Sequence, residues 1–216
     1  DSIERTDLLS HLDNTGIPAG ETHYSFDLNG LHCIVLDADY TVTAPHQPFD
    51  MIEEGQVAWW HWTEAWIPQG QLDWLAADLT ASDLPTIVFS HQALLLDASM
   101  EGSEDFMIKN AAMVRSLLEA DGQVLAAFSG HDHRGALTIH NDIHYFGLAG
   151  NVGLERDWSE VSPTNGLAPE ADSPFTLVTI EATPAAEPNA MRAYRMELLG
   201  NAQQYSYDAE VQVAVP

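Results

Sequence analysis

The chain has 216 residues, 45% of them apolar, which is enough for one substantial domain with its own core and too apolar for a disordered chain. Its 33 acidic residues outnumber 7 basic ones, giving a formal net charge of −26. That field excludes binding to nucleic acid or to anionic membranes, both of which rest on cationic contacts to phosphate.

No apolar stretch approaches the length of a membrane-spanning helix. The acidic residues are spread along the chain rather than gathered in a tail, the pattern of a soluble, salt-adapted surface in a periplasmic or secreted setting. The chain opens with Asp1 rather than Met and reads as a processed product or a fragment. No domain boundary is visible, so residues 1–216 are taken as one domain.

Helical spacing of Ile3, Leu8, Leu9 and Leu12 predicts a first helix over residues 2–13. "THYSFDLNGLHCIVLD" follows as two strands around Asn29-Gly30, a pair suited to a tight hairpin because both positions tolerate positive φ. Cys33, alone in the chain and within an apolar run, reads as a buried small hydrophobe. Residues 38–66 form a long irregular stretch. A helix over "IPQGQLDWLAADLTAS" has Pro68 near its start and Leu72, Leu75 and Leu79 on one face.

"PTIVFSH" is a short buried strand. "FMIKNAAMVRSLLEADG" reads as a helix with Met107, Ala111, Val114 and Leu118 on one stripe and Gly122 just past its end. "VLAAFSG" is a second buried strand, so strand, helix and strand form a crossover in a sheet covered by helices. "GALTIHNDIHYFGLAG" is a hairpin turning at Asn141-Asp142, and "PFTLVTIEA" and "AMRAYRMEL" are further strands. The fold class is α/β or α+β with antiparallel additions.

Chemistry gathers where the two buried strands end. "TIVFSH" stops at His91, and "LAAFSG" runs into "HDHR", placing His131 and His133 one residue apart. An extended turn would point these two the same way and Asp132 the other. Carboxyl ends of sheet strands are where α/β folds place ligands, and imidazole suits Zn, Mn and Fe. Three histidines there predict a metal site. Three neutral ligands cannot by themselves hold two divalent ions, so carboxylates are also needed. Asp37 ends a strand, but sequence alone does not place its hairpin in the sheet.

The segments "YSFDLNGLHCIVLD", "QLDWLAADL", "PTIVFSHQAL" and "GHDHRGALTIHNDIHYFGLAG", in that order, resemble the latter half of calcineurin-like metallophosphoesterases. The resemblance implies two packed β-sheets flanked by helices, an α-β-β-α sandwich, of which this chain would be the C-terminal half. It also implies two divalent metal ions (Mn, Fe or Zn), with His91 and His131 on one and His133 on the other. The family's G-D-x-x-D and G-N-H-[DE] motifs, which bring carboxylates and the catalytic histidine, do not occur in this chain, and no D-x-H precedes these segments; the one D-x-H, Asp142-Ile143-His144, falls inside the last of them. "DSIERTDLLSHL" resembles the helix that follows G-N-H-D. The missing groups are therefore expected on an N-terminal half or a partner chain.

Three further residues are candidate substrate contacts. Arg134 could grip a phosphate as a bidentate donor or pair with surface acids. His61, within "WWHWTEAW", belongs either to an aromatic wall beside the site or to a self-packed loop. Tyr40, with Asp39, lies at the rim. The remaining histidines read as structural or exposed. Hydrolysis of a phosphate mono- or diester is the leading functional reading. Its rivals are a non-catalytic binding or structural module and one half of a complementing two-chain enzyme.

Overall fold

The computed structural model describes residues 21–48, 63–100, 102–132, 135–148, 176–183, 192–200 and 207–213. Two strands, β1 (Tyr24–Leu28) and β2 (Leu31–Val35), form the first hairpin, with Asn29 at φ 51° and Gly30 at φ 81°. Both turn positions are left-handed, the requirement that an Asn-Gly pair meets most cheaply. Helix α1 (Gln69–Ala81) follows, then β3 (Thr86–Ser90), helix α2 (Ala111–Asp121) and β4 (Val124–Ser129). A second hairpin, β5 (Ala136–His140) and β6 (Ile143–Gly147), turns at Asn141-Asp142, both again at positive φ. Then come β7 (Thr176–Thr183), β8 (Arg192–Gly200) and β9 (Tyr207–Val213).

Six strands form one sheet in the order β1-β2-β3-β4-β6-β5, and β7-β8-β9 form a second, antiparallel one. Within the larger sheet β2, β3, β4 and β6 are parallel, while β1 and β5 are antiparallel hairpin arms at its two edges. Alternation along the strands sends Ile34, Val88, Ala127 and Tyr145 to one face, where α1 and α2 cover them through Leu72, Leu75, Leu79, Val114 and Leu118. The opposite face carries Cys33, Ile87, Phe128 and Phe146, packed against Tyr194, Met196, Leu198 and Val211 of the smaller sheet. The rings of Phe89, Phe128 and Phe146 stack across β3, β4 and β6 at 5.7 and 5.0 Å. Burying such a ring contributes about 1.5–3 kcal/mol.

The architecture is thus the expected mixed α/β arrangement of two packed sheets, with both described helices on the outer face of the larger one. The predicted helix over residues 2–13 lies outside the described residues. Two local corrections stand. The helix predicted from Phe106 begins only at Ala111. The Asn110 side chain accepts from the Ile67 amide at 3.0 Å and donates to the Ile67 carbonyl at 2.8 Å, while the amides of Ile108 and Lys109 bond Ala93 and Ala65. Residues around Met107 are held extended, at φ −102° and ψ 149°, by a parallel bridge to Ala93 that also takes the Phe106 carbonyl, so no helical turn can begin there. The strand β9 was not expected from the sequence at all.

Candidate functional site

The parallel strands β2, β3 and β4 bring their carboxyl ends to one edge of the sheet. The Val35–Phe89 and Phe89–Phe128 pairs are in register, so the chain leaves all three strands at the same level. Beyond that level lie Asp37, His91 and His131. The Gly130 amide donates to the His91 carbonyl at 3.0 Å, which ties the two strand ends together just where the histidines emerge. His131 then takes φ 60°, an uncommon conformation for a residue with a side chain and one that clusters at functional sites.

The two rings meet. His131 Nδ1 lies 3.0 Å from His91 Nε2, with ring centroids 4.8 Å apart and edge to face. Phe106, from the short 3-10 turn Ser103–Phe106, abuts His131 at 5.8 Å. His91 is exposed at the sheet edge, yet the protein packed around its ring lowers its pKa, and the Asp39 carboxylate partly offsets that burial effect. The serines that end both strands serve the backbone: Ser90 Oγ donates to the Gln92 carbonyl and Ser129 Oγ to the Phe146 carbonyl.

The turn after β4 differs from the extended form expected. With His131 left-handed, the Asp132 amide folds back onto the Gly130 carbonyl at 2.7 Å, the Gly135 amide bonds the Asp132 carbonyl, and Asp132 is buried. His133, Arg134 and His61 lie outside the described residues, so His91 and His131 are the two predicted ligands that the fold brings together here. Tyr40 stands one strand away, beyond the end of β2 and bridged to Pro48.

Asp37, which the sequence could not place, comes to this edge together with Asp39. The Asp37 backbone is held by one side chain: Gln71 Oε1 accepts its amide at 2.9 Å and Gln71 Nε2 donates to its carbonyl at 2.7 Å. Its carboxylate accepts from Thr22 Oγ1 and, at 3.0 Å, from the Asp39 amide. Gln71 is fully buried on the apolar face of α1, and a glutamine interrupting a leucine stripe was the one sequence signal for this brace.

Do these residues fit a metal? Metal–nitrogen bonds of about 2.0–2.1 Å place two adjacent ligand nitrogens roughly 3.0–3.4 Å apart, and the pair observed is at 3.0 Å. The spacing fits one shared ion. Among the described residues no group of three or more His, Cys, Asp or Glu side chains converges as a complete metal cluster.

No family model matches the chain, and no curated protein matches it. A solved structure described as a dimetal phosphatase from Danio rerio is similar in fold, with a TM-score of 0.53 at 19% identity over 89% of this chain and 60% of that one. The chain therefore shares its fold with that structure and spans about 60% of its length.

Proposed function

We propose that this chain contributes to metal-dependent hydrolysis of a phosphate mono- or diester, supplying the C-terminal histidine ligands of a dinuclear centre. The observation that carries this reading is the His91–His131 pair, whose nitrogens sit at ligand spacing at the carboxyl ends of adjacent parallel strands. The fold shared with a dimetal phosphatase supports it. His91 and His131 hold one ion and His133 belongs to the second. Mn, Fe or Zn would suit such ligands, and the ions would supply charge neutralisation at the phosphoryl oxygens.

Within that scheme the protein's own groups orient and hold. The Gly130–His91 backbone bond fixes the spacing of the rings, Phe106 limits the tilt of His131, and the Gln71 brace keeps Asp37 and Asp39 beside His91. Arg134, Tyr40 and His61 are proposed substrate contacts. The further carboxylates come from an N-terminal half or a partner chain. Phe26, Leu28 and Phe89, exposed on the face of the larger sheet that the smaller sheet covers only in part, give such a partner an apolar surface to bury.

The test is turnover of an aryl phosphate with Mn or Zn. The 216-residue chain alone is expected to be nearly inactive, and adding the segment that carries the carboxylates is expected to restore activity that His131→Ala removes. Restored activity that survives both His91→Ala and His131→Ala would overturn the reading.

A further inference from the structure

A cavity of about 610 Å³ opens between the start of β1, the loop after β2 and the amino end of α1. That volume lies within the roughly 300–1,000 Å³ typical of small-molecule sites. Aromatic side chains from all three elements line it: His23 and Tyr24 before and in β1, Tyr40 after β2, and Trp74 in α1. His23 meets Trp74 edge to face at 4.7 Å. Glu21, an exposed acid at the mouth, has a carboxylate oxygen 3.4 Å from His23 Nδ1.

Two polar groups of the lining are committed elsewhere: Gln71 spends its amide on the Asp37 backbone, and Ser25 Oγ donates to Asp78 Oδ1 at 2.8 Å. Most of the rest of the lining is the aromatic surface of His23, Tyr24, Tyr40 and Trp74 with their polar tips, and the Glu21 carboxylate that His23 Nδ1 faces. Ring faces attract cations through their quadrupole, most strongly when water is excluded. The amino end of α1 opposes this with roughly half a positive charge. Its Gln71 and Leu72 amides already turn to the Pro68 carbonyl at 3.0 and 3.1 Å, and a full charge on Glu21, within a chain of net charge −26, outweighs it.

We propose that this cavity binds an organic cation, a compact alkylammonium head seated on Trp74, Tyr24 and Tyr40 beside Glu21. The inference stands on the cavity alone and does not depend on the metal reading.

Gly70 provides a clean test. It lines the cavity, and a Cβ added there meets no atom within 4 Å, so Gly70→Phe would fill the space while improving helix propensity. The protein labelled with 5-fluorotryptophan, its Trp74 resonance assigned by Trp74→Phe, is titrated with tetramethylammonium chloride at constant ionic strength. A saturable shift of that resonance is expected, with Kd roughly millimolar. The neutral isostere tert-butanol should bind at least about tenfold more weakly, as loss of the cation–π and carboxylate attraction requires. Glu21→Gln should weaken the cation several-fold, and Gly70→Phe should abolish the shift with the circular dichroism unchanged. If Gly70→Phe unfolds the chain, Tyr40→Ala decides, with binding weakened at least about threefold expected from the lost ring. No saturable shift, equal binding of tert-butanol, tighter binding of benzoate, or indifference to Gly70→Phe or, in its place, Tyr40→Ala would each overturn the proposal.

Discussion

His32 and His91 sit on neighbouring parallel strands at opposite ends of the sheet, and their surroundings are inverted. His32, at the start of β2, is buried with both ring nitrogens on carboxylates: Nδ1 is 2.8 Å from Asp27 Oδ1 and Nε2 is 3.0 Å from Asp78 Oδ2. A carboxylate only accepts, so satisfying both contacts requires both nitrogens to donate, which is the imidazolium form. Burial on its own lowers the pKa of His32, but the hydrogen bonds and charges of Asp27 and Asp78 outweigh it and the net shift is upward. His91, past the end of β3, has another imidazole at 3.0 Å and a pKa lowered mainly by burial. One end of the sheet is a charged clamp joining β1, β2 and α1; the other carries two imidazoles in contact, the ligands proposed above. The same side chain serves as a staple at one end of a parallel strand and, in the proposed function, as a ligand at the other.

The largest effect that could break this contrast is on metal binding. His91→Ala or His131→Ala is expected to weaken Zn or Mn binding by at least about 100-fold, more than the 10–100-fold typical of groups that merely support a ligand. Both changes should cost no more than about 1 kcal/mol of stability, the centre of the range for single substitutions. Calorimetric metal titration with a urea melt on the same samples measures both. Unchanged metal affinity in both variants would remove His91 and His131 from the ligand set.

At the clamp, His32→Gln should cost about 2–3 kcal/mol, since it leaves the Asp78 carboxylate of α1 without its charged donor on β2. A shift of the urea midpoint reads this, and a neutral result would mean that His32 is not charged in the folded state.

The pH dependence follows the same logic. A folded pKa raised above the ordinary 6.5 means that the clamp's stabilisation is fully present below pH 6.5 and is lost as pH rises through the folded value. Asp121, at the end of α2, is coupled to His32 by charge, with its own carboxyl pushed up by burial, so it belongs to the same titrating group. The stability gap between wild type and His32→Gln should therefore narrow on the alkaline side. A gap that instead widens with pH would contradict the imidazolium assignment.

The smallest effect concerns how the clamp divides. The Asp78 side chain is 18% exposed and that of Asp27 is 64% exposed. Asp78→Asn should therefore cost more than Asp27→Asn, which should stay below about 1 kcal/mol as for a surface pair. Equal costs would show that Asp27 is better shielded in solution than its exposure implies.

Much of this frame was legible because its signals are local. Asn29-Gly30 and Asn141-Asp142 announce both hairpins, Leu72, Leu75 and Leu79 mark the inner face of α1, and two apolar strands ending near histidines locate the edge where His91 and His131 meet. What escaped was decided at a distance. The clamp needed Asp78, far along the chain, although the hairpin register alone pairs Asp27 with His32. The late start of α2 depended on Met107 bridging to Ala93 and Asn110 choosing Ile67. The place of Asp37 waited on β2 lying parallel to β3.

The two hairpins at the sheet's edges also shape how the chain can reach its fold. Each is closed by a two-residue turn, so β1–β2 and β5–β6 can form within about 1–10 μs, before anything else in the sheet. The parallel seams between them join partners such as His32 and Thr86 or Ala126 and His144, whose loops must be closed before any contact compensates the lost entropy. Loop-closure cost therefore predicts assembly from the margins inward, with β3 and β4 docking between the two hairpins and the edge carrying His91 and His131 completed last.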